Sequence, residues 1–520
     1  MRGQFAICNF LLLLVACWFL FFYRLGDRDL WSSHEARAAQ NAQTILDTGD
    51  WLIPRLYDQR PELQKPPLYY WLIAAIAWLR GGRVDAWAVR LPAALSAVGC
   101  VILLYFWLRS RAQPLAANLA AVVLATAIHF TWLARVGRID MPLALAISCA
   151  LASYYQGQPY RKLALFRGWL WFLVGYLFVA VAVLLKGPIG LVLPAAVVFA
   201  HQVVQRHQSL HPPLPSSWWR HALRAGHELG LWWGLPLVLA LTLPWFYWAN
   251  VRTGGQLLQV FVWYHNVERG FGSEKLASHP WWFYGPRFVV DFLPWTVGLV
   301  PAVVYFCKRP DWRLDNPARF GLVWLATMIV LLSCMRFKRG DYLLPAYPGG
   351  ALFLGAVAER AIREWGTRKV ATRTVPLVMA CAVLGWIIYV RYYLPEEEKG
   401  RGYPRFAAEI RRLVPPPQPV ILFRTKPHTL TFHLGRPVDT LLEWENLDWW
   451  AGRRGSYYVV MPPALYRECS RRLKSGRLIE VFRSTAWSDN RQERELILLR
   501  TQAYSSCPSR PHCPPLPAPP

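Results

Sequence analysis

The chain has 520 residues, is 54% hydrophobic and only 17% charged, and carries a formal net charge of +27. That charged fraction sits well below the roughly 25% of soluble domains, and several runs approach about 18 apolar residues, so a soluble α/β enzyme is excluded in favour of a multi-spanning helical membrane protein. In such a protein the Lys and Arg excess belongs beside anionic lipid at cytoplasmic loops, so the basic balance does not indicate a nucleic-acid partner.

Phe5 to Tyr23 opens the chain as an apolar run. It is too long for a signal-peptide core and no cleavage site follows, so it reads as a retained first transmembrane helix. Further spans are expected near 86–108, 114–133, 139–155, 168–185, 188–204, 230–249, 285–307, 318–334, 342–358 and 372–393, about 11 in all. Leu68 to Leu79 is apolar but, at about 12 residues, suits an interfacial helix. With the N-terminus inside, the cytoplasmic loops collect Arg109 and Arg111, Arg161 to Arg167, Arg206 to Arg224, Lys308 to Arg313, and Arg360 to Lys369. That is the positive-inside pattern, and it puts the C-terminal segment outside. The expected organisation is a membrane domain over 1–394 with a first extracytoplasmic loop at 24–85, a small extracytoplasmic α/β domain over 395–505, and a Pro-rich disordered tail at 506–520. In the second domain "PVILFR", "SYYVVM", "LIEVF" and "ELILLR" read as strands. "FAAEIRRLV" and "ALYRECSRRLKSG" read as helices, the latter stopping at Gly476. Seven of the ten Cys lie in or beside apolar runs and read as small buried hydrophobes, which leaves Cys469, Cys507 and Cys513 as candidates for pairing. No metal-type Cys spacing appears.

This topology gathers the polar motifs on the outer face. The first loop carries "HEAR" (His34, Glu35, Arg37) and "QKPPLYYW" (Lys65, Tyr69, Tyr70). Later loops carry "RVGRIDMP" (Arg135, Arg138, Asp140), "LLKGPIG" (Lys186), "WYHNVERGFG" (His265, Glu268, Arg269), "HPWWFYGPRFVVDFLPW" (His279, Tyr284, Arg287) and "FKRGDYLLPAYP" (Lys338, Asp341, Tyr342). Cations held near membrane depth on the side where loops are poor in them call for a ligand. A sugar on a lipid phosphate fits. Cations hold and stabilise the leaving phosphate, a carboxylate takes a proton from a hydroxyl acceptor or steadies an oxocarbenium-like centre, and aromatics stack on sugars at the headgroup level. The donor stays in the bilayer, so no nucleotide-binding loop is needed. Taken singly, the residues have plainer uses: Asp140 suits the N-cap of the next span, Lys186 suits snorkelling, and Glu35 suits a solvated helix face.

The stretch "SSHEARAAQNAQTILDTGDWLIPRL…QKPPLYYWL" resembles the first loop of lipid-linked-sugar glycosyltransferases of the GT-C fold, which include the protein O-mannosyltransferase relatives and the bacterial aminoarabinose transferase that modifies lipid A. "RIDMP", "KGPIGLVLP", "HNVERG…PWWFY…LPW" and "KRGDYLLPAYP" follow in the family's order, so the likeness covers roughly residues 20–360. The resemblance implies a GT-C type all-α membrane protein of the inner (plasma) membrane, with its site on the extracytoplasmic side. It would move a sugar from a polyprenyl-phosphate donor to a lipid, glycan or protein acceptor, among membrane lipids and without nucleic acid. It matches Glu35 and Asp140 to the family's acidic positions, Arg37 and Lys65 to residues that hold the lipid phosphate, and Lys186, Lys338 and Tyr342 to further polar positions; the residue types themselves add His34 to the candidates for the chemistry, Lys186 and Lys338 to those for the donor phosphate, and Tyr69, His265, Arg269 and Tyr342 to those for the sugar or acceptor. No cofactor is required, although a divalent cation bridging carboxylate and phosphate is compatible with these residues. Two positions depart from the pattern: His34 stands where the family has Asp, and Gln64 where Glu precedes Lys-Pro-Pro. His34 is itself a candidate base, since the unperturbed pKa of histidine lies near neutrality. A lipid or glycolipid transporter, or a donor-binding but catalytically impaired member, are the alternative readings.

Overall fold

The computed structural model describes residues 2–30, 32–111, 113–161, 166–209, 226–268, 279–309, 316–399, 402–426, 428–484 and 495–503. The expected tail at 506–520 lies outside them. The chain divides into two compact units, one of Met1–Asp29, Asn41–Pro54 and Pro61–Tyr392, the other of Leu30–Gln40, Arg55–Arg60 and Tyr393–Pro520.

The first unit is helical. Its elements begin with α1 (Arg2–Cys17, extended by a π-helical turn over Trp18–Phe22), α2 (Ser33–Thr48, whose first turns belong to the second unit), α3 (Leu68–Leu79) and α4 (Ala86–Ser110). Next come α5 (Pro114–Thr126), α6 (Ile128–Ala134), α7 (Asp140–Arg161), α8 (Phe166–Lys186), α9 (Ile189–Ser209) and α10 (Leu231–Arg252). The unit ends with α11 (Tyr284–Asp291), α12 (Thr296–Cys307), α13 (Pro317–Cys334), α14 (Tyr347–Glu364) and α15 (Arg368–Ile388). Among the described residues, five helices are long and apolar enough to cross a membrane, or seven if each of two bent pairs counts as one span. α3 has the 12 residues expected of an interfacial segment.

The bent pairs correct two expectations of continuous spans. The run at 114–133 breaks between α5 and α6 with a 68° bend, and the run at 285–307 breaks between α11 and α12 with a 107° bend. Breaking a helix at membrane depth frees backbone groups that lipid cannot satisfy. Here the two breaks answer each other. The Ile128 amide donates to the Leu293 carbonyl at 3.0 Å, and the Trp295 indole donates to the Thr126 hydroxyl at 2.9 Å. The Thr131 hydroxyl serves the Ala125 and Ala127 carbonyls at 2.8 and 3.1 Å. The expected span from 342 likewise starts as a 3-10 turn, Gly340–Ala346, before α14.

Two buried arginines serve the backbone. Arg90, fully buried in α4, donates to the carbonyls of Leu25, Arg28 and Asp29 at 3.0, 2.7 and 2.6 Å. Arg135 donates to Leu20 and Tyr23 at 3.1 and 2.6 Å, capping the end of the first helix as basic side chains do. This supplies a structural reason for Arg135, which the charge pattern assigned to a ligand.

The second unit contains a five-stranded sheet, β1 (Val420–Phe423), β2 (Asp439–Leu441), β3 (Tyr458–Met461), β4 (Gly476–Arg483) and β5 (Ile497–Ala503), in the order β2-β1-β3-β5-β4. β1 pairs in parallel with β2 and β3, while β5 runs antiparallel to β3 and β4. Side chains alternate between faces. Ile421, Phe423, Val459, Met461, Ile497 and Leu499 pack against the helix Trp444–Gly452 and Cys469 of the helix Pro463–Arg472. Val420, Leu422, Val460 and Leu498 pack against Tyr403–Leu413 and His428–Leu434. Burial on both faces explains why these strands are continuous apolar runs. The helix expected to end at Gly476 stops at Arg472, and Gly476 instead opens β4. A Cβ there would meet the Ala451 carbonyl oxygen at 2.1 Å, so the glycine serves a close backbone approach and not a helix stop.

Candidate functional site

α7 and α8 form an antiparallel hairpin joined by a short connection and packed along their length. That arrangement sets the first residue of α7 beside the last residue of α8. The first is Asp140 and the last is Lys186, and their side chains form an ion pair with Nζ 2.5 Å from Oδ1. Gly187 fixes the register of this end: its φ of +77° and its amide bond to the Val183 carbonyl at 2.7 Å make the left-handed stop that a Cβ-bearing residue resists. The helix termini reinforce the pair, since a carboxylate is favoured at an N-terminus and an ammonium at a C-terminus.

Around this pair the first unit collects further charge. Lys186 Nζ lies 4.2 Å from the ring centroid of Tyr342, a cation–π contact. The charges of Arg138 and Lys65, with that of Lys186, all bear on Asp140. Arg138 also pairs with Asp341, which is 3.3 Å from Arg339. The side chains of Lys186 and Asp140 are 19% and 10% exposed, so the pair is largely desolvated but reachable. Asp140 thus does more than begin a helix, and Lys186 more than snorkel.

A second group, of which the sequence had singled out Arg287 and Asp341 but not His129, Asp291 or Tyr347, adjoins the first. His129 Nδ1 is 2.9 Å from the Tyr347 hydroxyl and 3.2 Å from Asp291 Oδ2, while its Nε2 is 3.8 Å from Asp341 Oδ1. Arg287 Nε holds Asp291 at 2.6 Å. The signal was present in the sequence as an ionisable side chain inside an apolar run.

Other expected residues are placed as follows. Lys338 is buried and donates to the His279 carbonyl at 3.1 Å. The Tyr284 hydroxyl donates to the Arg339 carbonyl at 3.1 Å, fixing the same segment. Tyr69 is buried with its hydroxyl on the Val89 carbonyl at 2.9 Å, which ties α3 to α4. Arg269 and the side chain of His265 lie outside the described residues.

In the second unit, His34, Glu35 and Arg37 occupy the first turns of α2. Glu35 is fully buried, whereas His34 and Arg37 are half-buried. One turn beyond Arg37, Gln40 donates to the His428 carbonyl at 2.9 Å. Burial, with the charges of Arg37 and Lys426, holds the His428 imidazole down to about 4.

Comparison with known proteins extends this picture. Residues 6–253 match the family model of dolichyl-phosphate-mannose-protein mannosyltransferases. The undecaprenyl phosphate-alpha-4-amino-4-deoxy-L-arabinose arabinosyl transferase of Pseudomonas aeruginosa is 27% identical over 356 residues, covering 68% of this chain and 60% of that protein. The chain therefore spans less than two thirds of that relative's length. The crystal structure of ArnT from Cupriavidus metallidurans bound to undecaprenyl phosphate shares the fold with a TM-score of 0.77 at 21% identity, covering 98% of this chain and 100% of that one. The oligosaccharyltransferase AglB of Archaeoglobus fulgidus, in complex with an inhibitory peptide and a dolichol-phosphate, aligns at 0.54 and 13% identity over 89% of this chain and 70% of that one. The resemblance read from the first loop is borne out: the chain is similar in sequence to lipid-linked-sugar glycosyltransferases and shares the fold of ArnT.

Proposed function

We propose that this homologue of the lipid-linked-sugar glycosyltransferases is an integral membrane enzyme that moves a sugar from a polyprenyl-phosphate donor to a lipid, glycan or protein acceptor at the outer face of the inner membrane. The observation that carries the reading is the Asp140–Lys186 pair under Tyr342, with Arg138 and Lys65 acting on the same carboxylate, in a fold shared with a structure bound to undecaprenyl phosphate. A carboxylate among three cations suits a reaction whose leaving group is a phosphate. Lys186, Lys65 and Arg138 hold that phosphate and stabilise its charge as the glycosidic bond breaks. Asp140 orients Lys186 and faces the anomeric carbon as positive charge develops there. In the second unit Glu35 keeps the role of candidate base for an acceptor proton, with His34 as the second, and Arg37 that of a phosphate-binding candidate, as their residue types suggest. Tyr342, His265 and Arg269 contact the sugar or acceptor. Lys338, engaged with His279, acts by fixing the segment that carries Asp341 and Tyr342. Rate comes mainly from positioning and leaving-group stabilisation, and no resident cofactor is needed.

The same reading has about 11 spans, with the 395–505 domain extracytoplasmic, which the distribution of Lys and Arg among the loops supports. The test uses purified full-length protein in detergent with labelled sugars on undecaprenyl phosphate, against lipid A, glycan and protein acceptors. Transfer is expected, with loss in Lys65→Ala and Glu35→Ala. No transfer across that screen, together with an unchanged cellular glycolipid profile on deletion, overturns the assignment. An alkaline phosphatase fusion after Glu398 that is inactive in cells overturns the topology.

A further inference from the structure

The far end of α14 holds a polar constellation that the transfer chemistry does not use. The helix starts at Tyr347 and closes with Glu359, Arg360, Arg363 and Glu364. A helix rises about 1.5 Å per residue, so Arg360 lies about 20 Å along the axis from Tyr347. There the last turns of α12 and α14 meet the first residues of α5 and α13 around a cavity of about 250 Å³, far more than a water needs. Three arginines line it: Arg309, just beyond α12, and Arg360 and Arg363 of α14.

Carboxylates hold these arginines in place without neutralising them all. Arg309 and Arg360 share Glu364, at 2.5 and 3.1 Å, and the Tyr305 hydroxyl donates to the same carboxylate at 2.6 Å. Arg363 pairs with Glu359, whose other oxygen accepts from the Ala116 amide in the first turn of α5 at 2.8 Å. Each pair engages one terminal nitrogen of Arg309 and Arg363, and a guanidinium offers five N–H donors, so further donors remain for an oxyanion. Three cations against two carboxylates leave one positive charge, the complement of the single negative charge on a phosphodiester.

The surroundings favour a lipid over a free anion. Phe306, Ala356 and Val357 give the cavity an apolar wall. On α12, Val297, Val300 and Val304 are exposed and spaced three and four residues apart, an apolar stripe that runs toward this end of the helix. An acyl chain can cover such a stripe, whereas inorganic phosphate gains nothing from it. The cavity also adjoins the cation-rich stretches Lys308 to Arg313 and Arg360 to Lys369, and basic pockets between membrane helices on the cytoplasmic side hold anionic headgroups.

We propose that this cavity is a binding site for an anionic glycerophospholipid, with the phosphodiester on Arg309, Arg360 and Arg363 and an acyl chain along α12. The inference does not rest on the transferase reading, and its test reads binding without any sugar transfer. Purified full-length protein in neutral detergent is titrated with phosphatidylglycerol or phosphatidylcholine, with inorganic phosphate as competitor, and the first bound lipid is followed by native mass spectrometry. Wild type should bind phosphatidylglycerol about tenfold more tightly than phosphatidylcholine, and Arg309→Gln/Arg363→Gln should remove most of that margin. Arg373→Gln, at an exposed arginine of α15 outside the cavity, should keep it. Inorganic phosphate at the lipid's concentration should displace nothing. If the double variant fails to fold, Arg309→Gln decides, because it leaves the Arg363–Glu359 pair intact; a loss of about threefold is expected. Equal binding of the two lipids, unchanged phosphatidylglycerol binding in the cavity variants, an equal loss in Arg373→Gln, or displacement by phosphate each overturn the inference.

Discussion

Replacing Lys186 by Met keeps the length of the side chain and removes its charge. The structure sets the size of the consequence. The ammonium is 2.5 Å from Asp140 Oδ1, in a pair whose carboxylate side chain is 10% exposed. Charges about 4 Å apart attract by about 4 kcal/mol at an effective dielectric near 20, and removing one partner of a buried pair costs about 3–5 kcal/mol because the other is left desolvated. Arg138 and Lys65 still act on Asp140, so the lower end of that range is expected for stability. For turnover, losing one preorganised donor to the departing phosphate should cost about 10²–10³-fold in kcat. The assay pairs sugar transfer from undecaprenyl-phosphate donors with thermal unfolding in detergent. Asp140→Asn/Lys186→Met, which removes both charges, should regain most of the lost stability and none of the turnover. Wild-type kcat in Lys186→Met, or recovery of turnover in the double variant, would refute the reasoning.

Two further outcomes concern the second unit. The folded pKa of His428, about 4, lies below its unfolded value near 6.5, so the unfolded chain takes up the proton first. Its contribution is complete above about pH 6.5 and is lost as pH falls to about 4, by at most roughly 3 kcal/mol before solvent screening. Thermal unfolding of the full-length protein should therefore fall further between about pH 7 and about pH 4.5 than that of His428→Gln; parallel falls count against the assignment. Gly476→Ala should destabilise by about 1–3 kcal/mol, because its Cβ would sit 2.1 Å from the Ala451 carbonyl oxygen, and a neutral result by chemical unfolding would show that β4 can shift.

The parts legible in the sequence are those with a strong local signature. β1, β3, β4 and β5 stood out as apolar runs, whereas β2 is three residues long and the helices His428–Leu434 and Trp444–Gly452 are too short and mixed to show a period. Asp140 and Lys186 were visible as charges at the mouths of apolar runs, and a hairpin is enough to bring them together. The breaks were not equally visible. Pro294 lacks the amide a continuous helix needs and so marked the second, but nothing in "VLATAIHF" marks the first. Ala127 leaves the helical path because Leu293 and Trp295 supply partners from a segment more than 160 residues away, and a linear reading has no access to that.

The same long-range pairing bears on why the charges lie where they do. A transporter that alternates access needs its broken helices to exchange partners around a site at the midplane. Here both breaks are tied to each other through backbone and side-chain bonds, and ionisable groups cluster beside them, with His129 3.2 Å from Asp291 and 3.8 Å from Asp341, which pairs with Arg138. Moving one break would release a chain of buried charges together. That cost suits a scaffold that holds one geometry, as a reaction driven by positioning requires. In the proposed mechanism Arg138 stands with Lys65 and Lys186 at the donor phosphate, so substitutions at Asp341 or Arg138 should weaken donor binding and turnover together.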